Sequence, residues 1–234
     1  MKIISFSLWG SDPKYNIGAL RNAELAARLY PEWTCRFYCG SSVPRETIET
    51  LRPRKNVDLV IRPEPGDWRG LFWRFAAASD QGVHVMISRD TDSRLSRRER
   101  DAVEAWLETG LPFHVMRDHK DHGVPILGGL WGARRDAVPD LDNLIFSWEK
   151  TDRWGPDQDF LGEVVAPRVR HAWVEHDPYF ANRPFPSRRC GREFVGQPFD
   201  EEDRPLIEGP TEFEFQTRRL VKRILRPFVQ RARR

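Results

Sequence analysis

Short apolar runs alternate with helical patterns through the first half of the chain, and this alternation limits the fold more than any other feature of the sequence. Residues 18–30 carry apolar side chains at helical spacing, and residues 68–78, rich in Phe, Trp and Ala, are also predicted to be helical. Four runs around them are typical of strands: residues 3–8, 34–39, 57–61 and 83–88. Strands and helices in turn predict an α/β fold with a mostly parallel central sheet flanked by helices.

A well-signalled helix follows these runs. Ser96 and Glu99 form a capping-box pattern before an apolar face, and Gly110 is placed to end the helix. Residues 113–116 are predicted to form a further strand. The chain then becomes rich in loop residues up to about residue 190, interrupted by a helix that begins near Asp157 and by a strand-like run at residues 170–174.

Composition excludes several classes of protein. The chain has 234 residues, of which 39% are hydrophobic, and nine are Trp, so wholesale disorder is excluded. No apolar run reaches the roughly 18 residues that a membrane span needs. The three cysteines are too few and too scattered for a disulfide framework, which predicts a reducing, cytoplasmic location.

The formal net charge of +3 is unevenly distributed. Residues 211–234 carry eight Lys and Arg against two acids, whereas the rest of the chain carries 30 bases and 33 acids. This contrast predicts a domain at residues 1–210 and a basic amphipathic segment at residues 211–234. The segment's apolar stripe fits either contact with a membrane surface or packing on protein. Nucleic-acid binding is disfavoured because the body is acidic.

The most informative motif is the Asp-x-Asp pair formed by Asp90 and Asp92, directly after the apolar run at residues 83–88. Ligands of open α/β sheets bind beyond the carboxyl ends of the strands, where both side chains could turn into the crevice. Carboxylates are the ligands that Mg²⁺ and Mn²⁺ prefer. The alternative is a turn that merely precedes the helix capped by Ser96.

Other polar residues could complete such a site. Asp157 and Gln158 lie at the predicted start of a helix, although Asp157 could be only a helix cap. His176 follows the strand-like run at residues 170–174 and could add an imidazole ligand. The guanidinium groups of Arg74 and Arg89 suit phosphate oxygens, although Arg89 could instead pair with the nearby aspartates.

Two further groups have open alternatives. A histidine-rich stretch could bind a metal independently or form a polar loop that contacts sugar or phosphate; its members are His114, Asp118, His119, Asp121 and His122. Four tryptophans could stack on sugar rings or simply fill the core: Trp68, Trp73, Trp131 and Trp154.

The order of motifs resembles that of the GT-A fold glycosyltransferases, in particular the small glycosyltransferase-like proteins related to the retaining, DxD-containing families. The resemblance covers about residues 1–204 and rests on the motifs SLWG (7–10), KY (14–15), GA (18–19), FWRF (72–75), RDTDSR (89–94), MRDH (116–119), ILGGLWG (126–132), DQDFL (157–161), HD (176–177) and FVGQ (194–197).

This resemblance implies roles for individual residues. Asp90 and Asp92 would hold Mn²⁺ or Mg²⁺ with the donor diphosphate, and His176 would be the third ligand. Asp157 and Gln158 would act near the anomeric carbon. The implied donor-binding set is Ser7, Leu8, Trp9, Tyr15, Arg74 and Arg89. The implied acceptor side is His119, Gly129 and Trp131, with a small-residue strand at residues 128–132 as its wall.

The sequence thus predicts a metal-dependent glycosyltransferase of hexosyltransferase type. It would transfer a UDP- or GDP-linked sugar to a glycan, lipid or protein acceptor that the sequence does not identify, and the resemblance implies retention. One alternative is a phosphohydrolase of the aspartyl-phosphate type, although its nucleophile normally lies on the first strand of the domain and Asp90 does not. The other is a non-catalytic, nucleotide-binding scaffold with the same fold.

Overall fold

A seven-stranded sheet forms the centre of the computed structural model, which describes residues 1–149 and 155–217. The strand order is β3-β2-β1-β4-β6-β5-β7. The strands are β1 (Lys2–Leu8), β2 (Thr34–Cys39), β3 (Val57–Ile61), β4 (Val85–Arg89), β5 (Phe113–Met116), β6 (Trp131–Arg134) and β7 (Trp173–His176).

Helices of several kinds cover both faces of the sheet. The α-helices are α1 (Pro13–Leu29), α2 (Arg45–Leu51), α3 (Arg97–Thr109), α4 (Leu141–Phe146), α5 (Pro156–Phe160) and α6 (Ala166–Val169). A 3-10 helix spans Trp68–Ala78, a π-helical turn spans Leu161–Val165, and a short 3-10 turn spans Arg170–Ala172.

The sheet is parallel except around β6. This strand runs antiparallel to both of its neighbours, β4 and β5. The first residues of β6 therefore lie at the same edge of the sheet as the carboxyl ends of β1 and β4. The loop that leads into β6 contains Gly128 and Gly129, so the topology brings these glycines to that edge.

Side-chain alternation along β1 and β4 divides the core into two layers. Ile4, Phe6 and Leu8 pack with α1 and α3, together with Ile87 of β4. Ile3 and Met86 face the opposite layer, which contains Phe75 of the 3-10 helix and Phe160 of α5. Successive strand residues point to opposite faces, so consecutive residues at the end of β4 face different surroundings.

Several predicted elements are confirmed. The strands at residues 34–39, 57–61 and 113–116 have the predicted bounds. Ser96 Oγ accepts a hydrogen bond from the Glu99 backbone N–H at 3.2 Å, and Gly110 ends α3 in the left-handed region at φ 72°. These predictions rest on residues that are close together in the sequence, and the hydrogen bonds that begin and end α3 join such residues.

Other boundaries differ from the predictions. α1 begins at Pro13, five residues early, because the Asp12 carboxylate caps it by accepting from the Lys14 backbone N–H at 2.9 Å. The helix at residues 68–78 is of the 3-10 type. β4 is shifted to Val85–Arg89. The strand implied at residues 128–132 is β6, at Trp131–Arg134, and the stretch predicted to be loop-rich also contains α4.

The proposed C-terminal segment lies largely outside the described residues, which end at residue 217. Residues 212–217 are helical and Phe215 is buried. The boundary at residue 210 and the contact with a membrane surface stay predictions. Within residues 1–149 and 155–217, no helix is both long and apolar enough to cross a bilayer.

Two histidines on the neighbouring strands β5 and β7 are buried against each other. His114 Nε2 and His176 Nδ1 are 2.8 Å apart, and the His114 ring stacks on Trp106 at 5.2 Å. Burial lowers the pKa of His176 to about 4, and the positive charge of Arg98 adds to this. Burial also lowers the pKa of His114 well below its ordinary value, with contributions from His176 and Arg89. Both rings are therefore neutral in the folded protein near pH 7.

This pair makes stability depend on pH. In the unfolded chain both rings return to a pKa near 6.5, so that state binds more protons as the pH falls. The pKa of His176 sets the pH range. We expect the contribution of this ring to the free energy of unfolding to be complete above about pH 6.5 and to be lost between there and about pH 4. The free energy of unfolding should fall by about 1.4 kcal/mol per pH unit for each ring.

Urea unfolding at a series of pH values measures this slope. His114→Gln is expected to make the slope shallower by the contribution of one ring. His171→Gln, at an exposed position, is the control and should leave the slope unchanged. Equal slopes for the wild type and His114→Gln would contradict this origin of the pH dependence.

Candidate active site

A buried arginine joins two carboxylates at the edge of the sheet. Arg74 donates from Nη1 to Asp90 Oδ1 and, at 2.8 Å, from Nη2 to Asp157 Oδ2. The side chains of Arg74 and Asp157 are each 4% exposed, whereas that of Asp90 is 45% exposed. The Asp90 carboxylate is thus bound on its buried side by Arg74, while the rest of the side chain is accessible to solvent.

The first strand fixes the backbone of Arg74. Ser5 Oγ donates to the Arg74 carbonyl at 2.6 Å, and Ser7 Oγ accepts from the Arg74 backbone N–H at 2.9 Å. Both serines lie on the face of β1 opposite the apolar residues Ile4, Phe6 and Leu8. Ser7, predicted to contact the donor, is therefore a residue that positions Arg74, and its side chain is buried.

Asp92 lies deeper than Asp90 and faces a lysine. Its side chain is 20% exposed, and Oδ2 lies 3.4 Å from Lys14 Nζ. Burial raises the pKa of the Asp92 carboxyl, the negative charge of Asp90 adds to this, and Lys14 opposes it. The two aspartates therefore feel each other's charge, and together they form an electronegative pair near the start of α1.

The loop that carries the two aspartates is held by hydrogen bonds. Ser93 Oγ donates to the Asp90 carbonyl at 2.9 Å. Asn22 of α1 donates from Nδ2 to the carbonyls of Thr91 and Ser93 at 3.1 and 2.8 Å. The Phe199 backbone N–H donates to the Asp92 carbonyl at 2.8 Å. The position of the aspartates is thus set by α1 and by the C-terminal part of the chain.

Glycines allow the backbone to approach these carboxylates closely. A Cβ atom built on Gly129 would lie 2.0 Å from Asp90 Oδ2, and one built on Gly128 would lie 2.1 Å from Asp157 Oδ2. On the opposite side, a Cβ on Gly18 would lie 2.0 Å from the Thr91 carbonyl oxygen. Any side chain at these positions would displace the site. Gly129, predicted on the acceptor side, packs directly against Asp90.

The donor set fits a divalent cation held by two carboxylates. Mg²⁺ is usually bound through one or two carboxylates, with substrate phosphates and water completing its shell. Asp90 and Asp92 match this pattern. Among the described residues, no group of three or more His, Cys, Asp or Glu side chains is arranged to hold a metal.

His176 is not brought to the aspartate pair, which corrects its predicted role as third ligand. Its strand is three positions from β4 in the sheet, a separation of about 14 Å at the usual strand spacing. Its Nδ1 is engaged with His114 Nε2 at 2.8 Å. Sequence order could not show this, because the strands at the end of the chain do not lie in chain order.

Arg89 also lies away from the predicted site. Its Nε donates to Glu99 Oε1 at 2.6 Å, and its Nη1 donates to the carbonyls of Ser88 and Trp131. Alternation along β4 points Arg89 toward α3 and the next residue, Asp90, toward Arg74. Arg89 therefore neither contacts the donor edge nor pairs with the nearby aspartates.

Two more predicted residues have buried side chains. Leu8 is packed with α1 and α3, so only its backbone reaches the edge of the sheet. Trp131 stacks on Phe113 with ring centroids 5.3 Å apart and packs edge-on against Phe75. Trp131 is thus a core residue of the second layer, and its placement on the acceptor side is corrected.

The remaining predicted residues lie around the edge. Trp9 packs so closely on Gly66 and Gly70 that a Cβ at either would lie within 3 Å of its ring or Cβ atoms. Tyr15 is 37% exposed, and its ring lies 4.3 Å from Lys14 Nζ. Gln158 is half-buried on α5, next to Asp157.

The histidine-rich loop is held by aromatic and ionic contacts. The His119 ring stacks on Phe194 at 4.4 Å. Asp118 is fully buried and accepts from Arg98 Nε at 2.8 Å and from Arg189 Nη2 at 2.6 Å. Burial lowers the pKa of His122 to about 3, and the charge of His119 contributes. In the described part of the chain, this loop does not form an independent metal cluster, which was one of the two alternatives for these residues.

Sequence analysis assigned no role to three residues that build the site: Ser5, Lys14 and Asn22. Lys14 is adjacent to Tyr15 within a quoted motif, so proximity to a motif was an available signal. Ser5 is a polar residue in an apolar strand, which is the usual mark of a buried hydrogen bond. Asn22 carries no such signal.

The comparisons with known proteins rest on structure. No family model and no curated protein matches the sequence. The structure resembles a glycosyltransferase involved in the glycosylation of the major capsid of PBCV-1, at 16% identity, over 77% of this chain and 82% of that one, with a TM-score of 0.50.

Two larger proteins are similar to the same degree. The mannosyltransferase PcManGT from Pyrobaculum calidifontis, in complex with GDP-Man and Mn²⁺, matches at 13% identity over 76% of this chain, with a TM-score of 0.52. S. aureus TarS matches at 12% identity over 75% of this chain, with a TM-score of 0.51. The chain spans 55% and 57% of these two chains. The seven-stranded, mostly parallel sheet and these matches together show that the chain has the GT-A glycosyltransferase fold.

Proposed function

We propose that the chain is a metal-dependent glycosyltransferase that uses a nucleotide-activated sugar. The observation that carries the proposal is the group formed by Arg74, Asp90 and Asp157 beside Asp92, at the carboxyl edge of the sheet. The fold supports it, and so does the neighbour that was solved with GDP-Man and Mn²⁺. A UDP- or GDP-linked hexose is the proposed donor.

Asp90 and Asp92 are the proposed ligands of Mn²⁺ or Mg²⁺. When bound there, the ion supplies neutralisation of the donor diphosphate, which stabilises the leaving nucleotide. Lys14 lies beside Asp92 and adds a fixed positive charge near the start of α1. Lys14 is therefore proposed to contact the diphosphate as its negative charge increases on departure.

Asp157 is the proposed electrostatic partner of the sugar. Burial raises the pKa of its carboxyl and Asp90 adds to this, while the ion pair with Arg74 opposes the shift. Arg74 thus favours the carboxylate form, which can stabilise positive charge that develops at the anomeric carbon. The amide of Gln158 is proposed to help orient the sugar. Retention of configuration is proposed from the family resemblance.

The aspartate pair can be tested by nucleotide binding. Asp90→Asn and Asp92→Asn are each expected to weaken Mn²⁺-dependent binding of UDP or GDP at least tenfold, because one ligand of the cation is lost. Asp136→Asn, at an exposed position with φ 61° that suits Asn, is the matched control. Isothermal titration calorimetry with and without Mn²⁺ measures the affinities. Unchanged affinity in both site variants would refute the assignment.

Asp157 can be separated from the binding step. Asp157→Asn keeps the shape of the side chain and removes its charge, so turnover of the donor should fall at least a hundredfold while Mn²⁺–nucleotide affinity stays within about threefold. Release of nucleotide from a panel of UDP- and GDP-sugars measures turnover.

The outcomes of this assay also discriminate among the alternatives. Equal losses of affinity and turnover would remove the proposed role of Asp157 at the anomeric carbon. Nucleotide binding by the wild type without turnover of any donor would favour the non-catalytic scaffold. Turnover of a generic phosphomonoester that Asp90→Asn abolishes would favour the phosphohydrolase.

Gly129 offers a steric test of the same site. Gly129→Ala would place a methyl group against Asp90 Oδ2 and the Asp90 backbone nitrogen, so Asp90 must move. We expect at least a tenfold loss of donor turnover. Gly123→Ala is the control, because a Cβ there meets no atom within 4 Å. Equal turnover in the two variants, each checked for folding by circular dichroism, would show that the close approach is unimportant.

A further inference from the structure

An aromatic groove lies on the far side of the helix that carries Arg74. It has a volume of about 440 Å³, within the range of sites for small ligands. It runs between the 3-10 helix Trp68–Ala78 and α4. The described residues that line it are Arg62, Trp68, Arg69, Phe72, Trp73, Ala76, Asp142, Ile145, Phe146 and Trp148.

Half of the residues that line the groove are aromatic. Three of the lining residues are Trp and two are Phe. Phe146, at the end of α4, is 93% exposed, so its ring contributes almost nothing to the core. An exposed apolar side chain that adjoins other apolar lining residues is a feature of binding grooves, whereas an isolated one is not. Flat rings of this kind bind ligands with flat apolar faces.

Charged side chains lie beside the rings of the groove. The charged lining side chains are Arg62, Arg69 and Asp142, a net charge of one positive unit. The side chain of Arg69 is 71% exposed, and Asp142 is also exposed. A guanidinium donates hydrogen bonds and a carboxylate accepts them, so both groups can bind hydroxyl groups of a ligand.

Ring contacts connect the groove to the proposed active site. Phe72 and Trp148 both pack edge-on against Phe160, with centroids 5.5 and 5.7 Å away. Phe160 belongs to α5, which also carries Asp157. On the other side, the lining residue Trp73 immediately precedes Arg74. The groove and the carboxylates therefore lie on two faces of the same packed elements.

From these observations we propose that the groove binds a saccharide unit of the acceptor. Sugar rings combine apolar C–H faces, which pack on Trp and Phe rings, with hydroxyl groups, which can accept from Arg69 and donate to Asp142. The net positive charge favours a neutral or acidic sugar over a basic one. The saccharide site stands on the groove itself, and its role as acceptor site rests on the proposed function.

Saccharide binding to the full chain tests the proposal. The probes are methyl glycosides of glucose, mannose, galactose and N-acetylglucosamine, together with glucuronic acid, titrated by saturation-transfer NMR. Phe146→Ala removes an exposed ring, and Arg69→Ala removes an exposed charged side chain that can bind hydroxyl groups. Each is expected to raise the dissociation constant of the bound saccharide at least fivefold. Phe213→Ala, which removes a ring that is 81% exposed outside the groove, should have no effect.

Nucleotide binding is measured on the same variants, so that the two proposals can fail separately. Phe146→Ala should leave Mn²⁺–nucleotide affinity within twofold of the wild type. With nucleotide binding intact, failure of the wild type to bind any saccharide in the panel would overturn the groove proposal, as would unchanged binding in both groove variants. Groove-dependent saccharide binding without nucleotide binding would overturn the proposed function and leave a carbohydrate site.

Discussion

The ion-pair network around Arg74 is the interaction on which the rest of the site depends. A buried guanidinium is tolerated only when carboxylates compensate it, and Asp90 and Asp157 do so. With Asp92 and Lys14 included, the site carries three negative and two positive charges, a net charge of one negative unit. That balance favours entry of a divalent cation, and the resulting positive charge favours a diphosphate. Removing Arg74 would leave carboxylates that repel each other and would leave the buried Asp157 without its positively charged partner.

Two features of the sheet make this network possible. Side chains along each strand alternate between the two faces, and β6 runs antiparallel to its neighbours. On β1, the residues that face α1 and α3 are apolar, and the residues on the other face, Ser5 and Ser7, hold the backbone of Arg74. β6 runs against its neighbours, so the loop before it reaches the same edge as Asp90. Glycines are required in that loop because the carboxylates occupy the space a side chain would need. The site is therefore a consequence of topology as much as of residue chemistry.

Sequence reasoning succeeded where the physics is local. The capped α3 and three strands were predicted because caps and short apolar runs decide them. The aspartate pair follows β4 as expected, and its role as a metal site stays a prediction. Arg89 was misplaced although period-two alternation with Asp90 could have placed it correctly. His176 and Trp131 were misplaced because strand order and layer are set by long-range packing, which no local pattern reports. The strand implied at residues 128–132 begins only at Trp131, because Gly128 and Gly129 lie in a loop that packs against the carboxylates.

The 3-10 helix Trp68–Ala78 connects the two proposed binding events. Its Arg74 backbone is fixed to β1, so the helix cannot shift without breaking two buried hydrogen bonds. Its other face, with Phe72 and Trp73, forms one wall of the groove, while the opposite wall comes from the short helix α4 and from Trp148. The proposed donor side is therefore built on the sheet, and one wall of the groove is built on α4, an element outside the sheet. A change at Phe146 can alter what the groove binds without moving the carboxylates, because its ring is 93% exposed. A change at Trp148 would instead reach Asp157, because Trp148 packs on Phe160 and both Phe160 and Asp157 belong to α5.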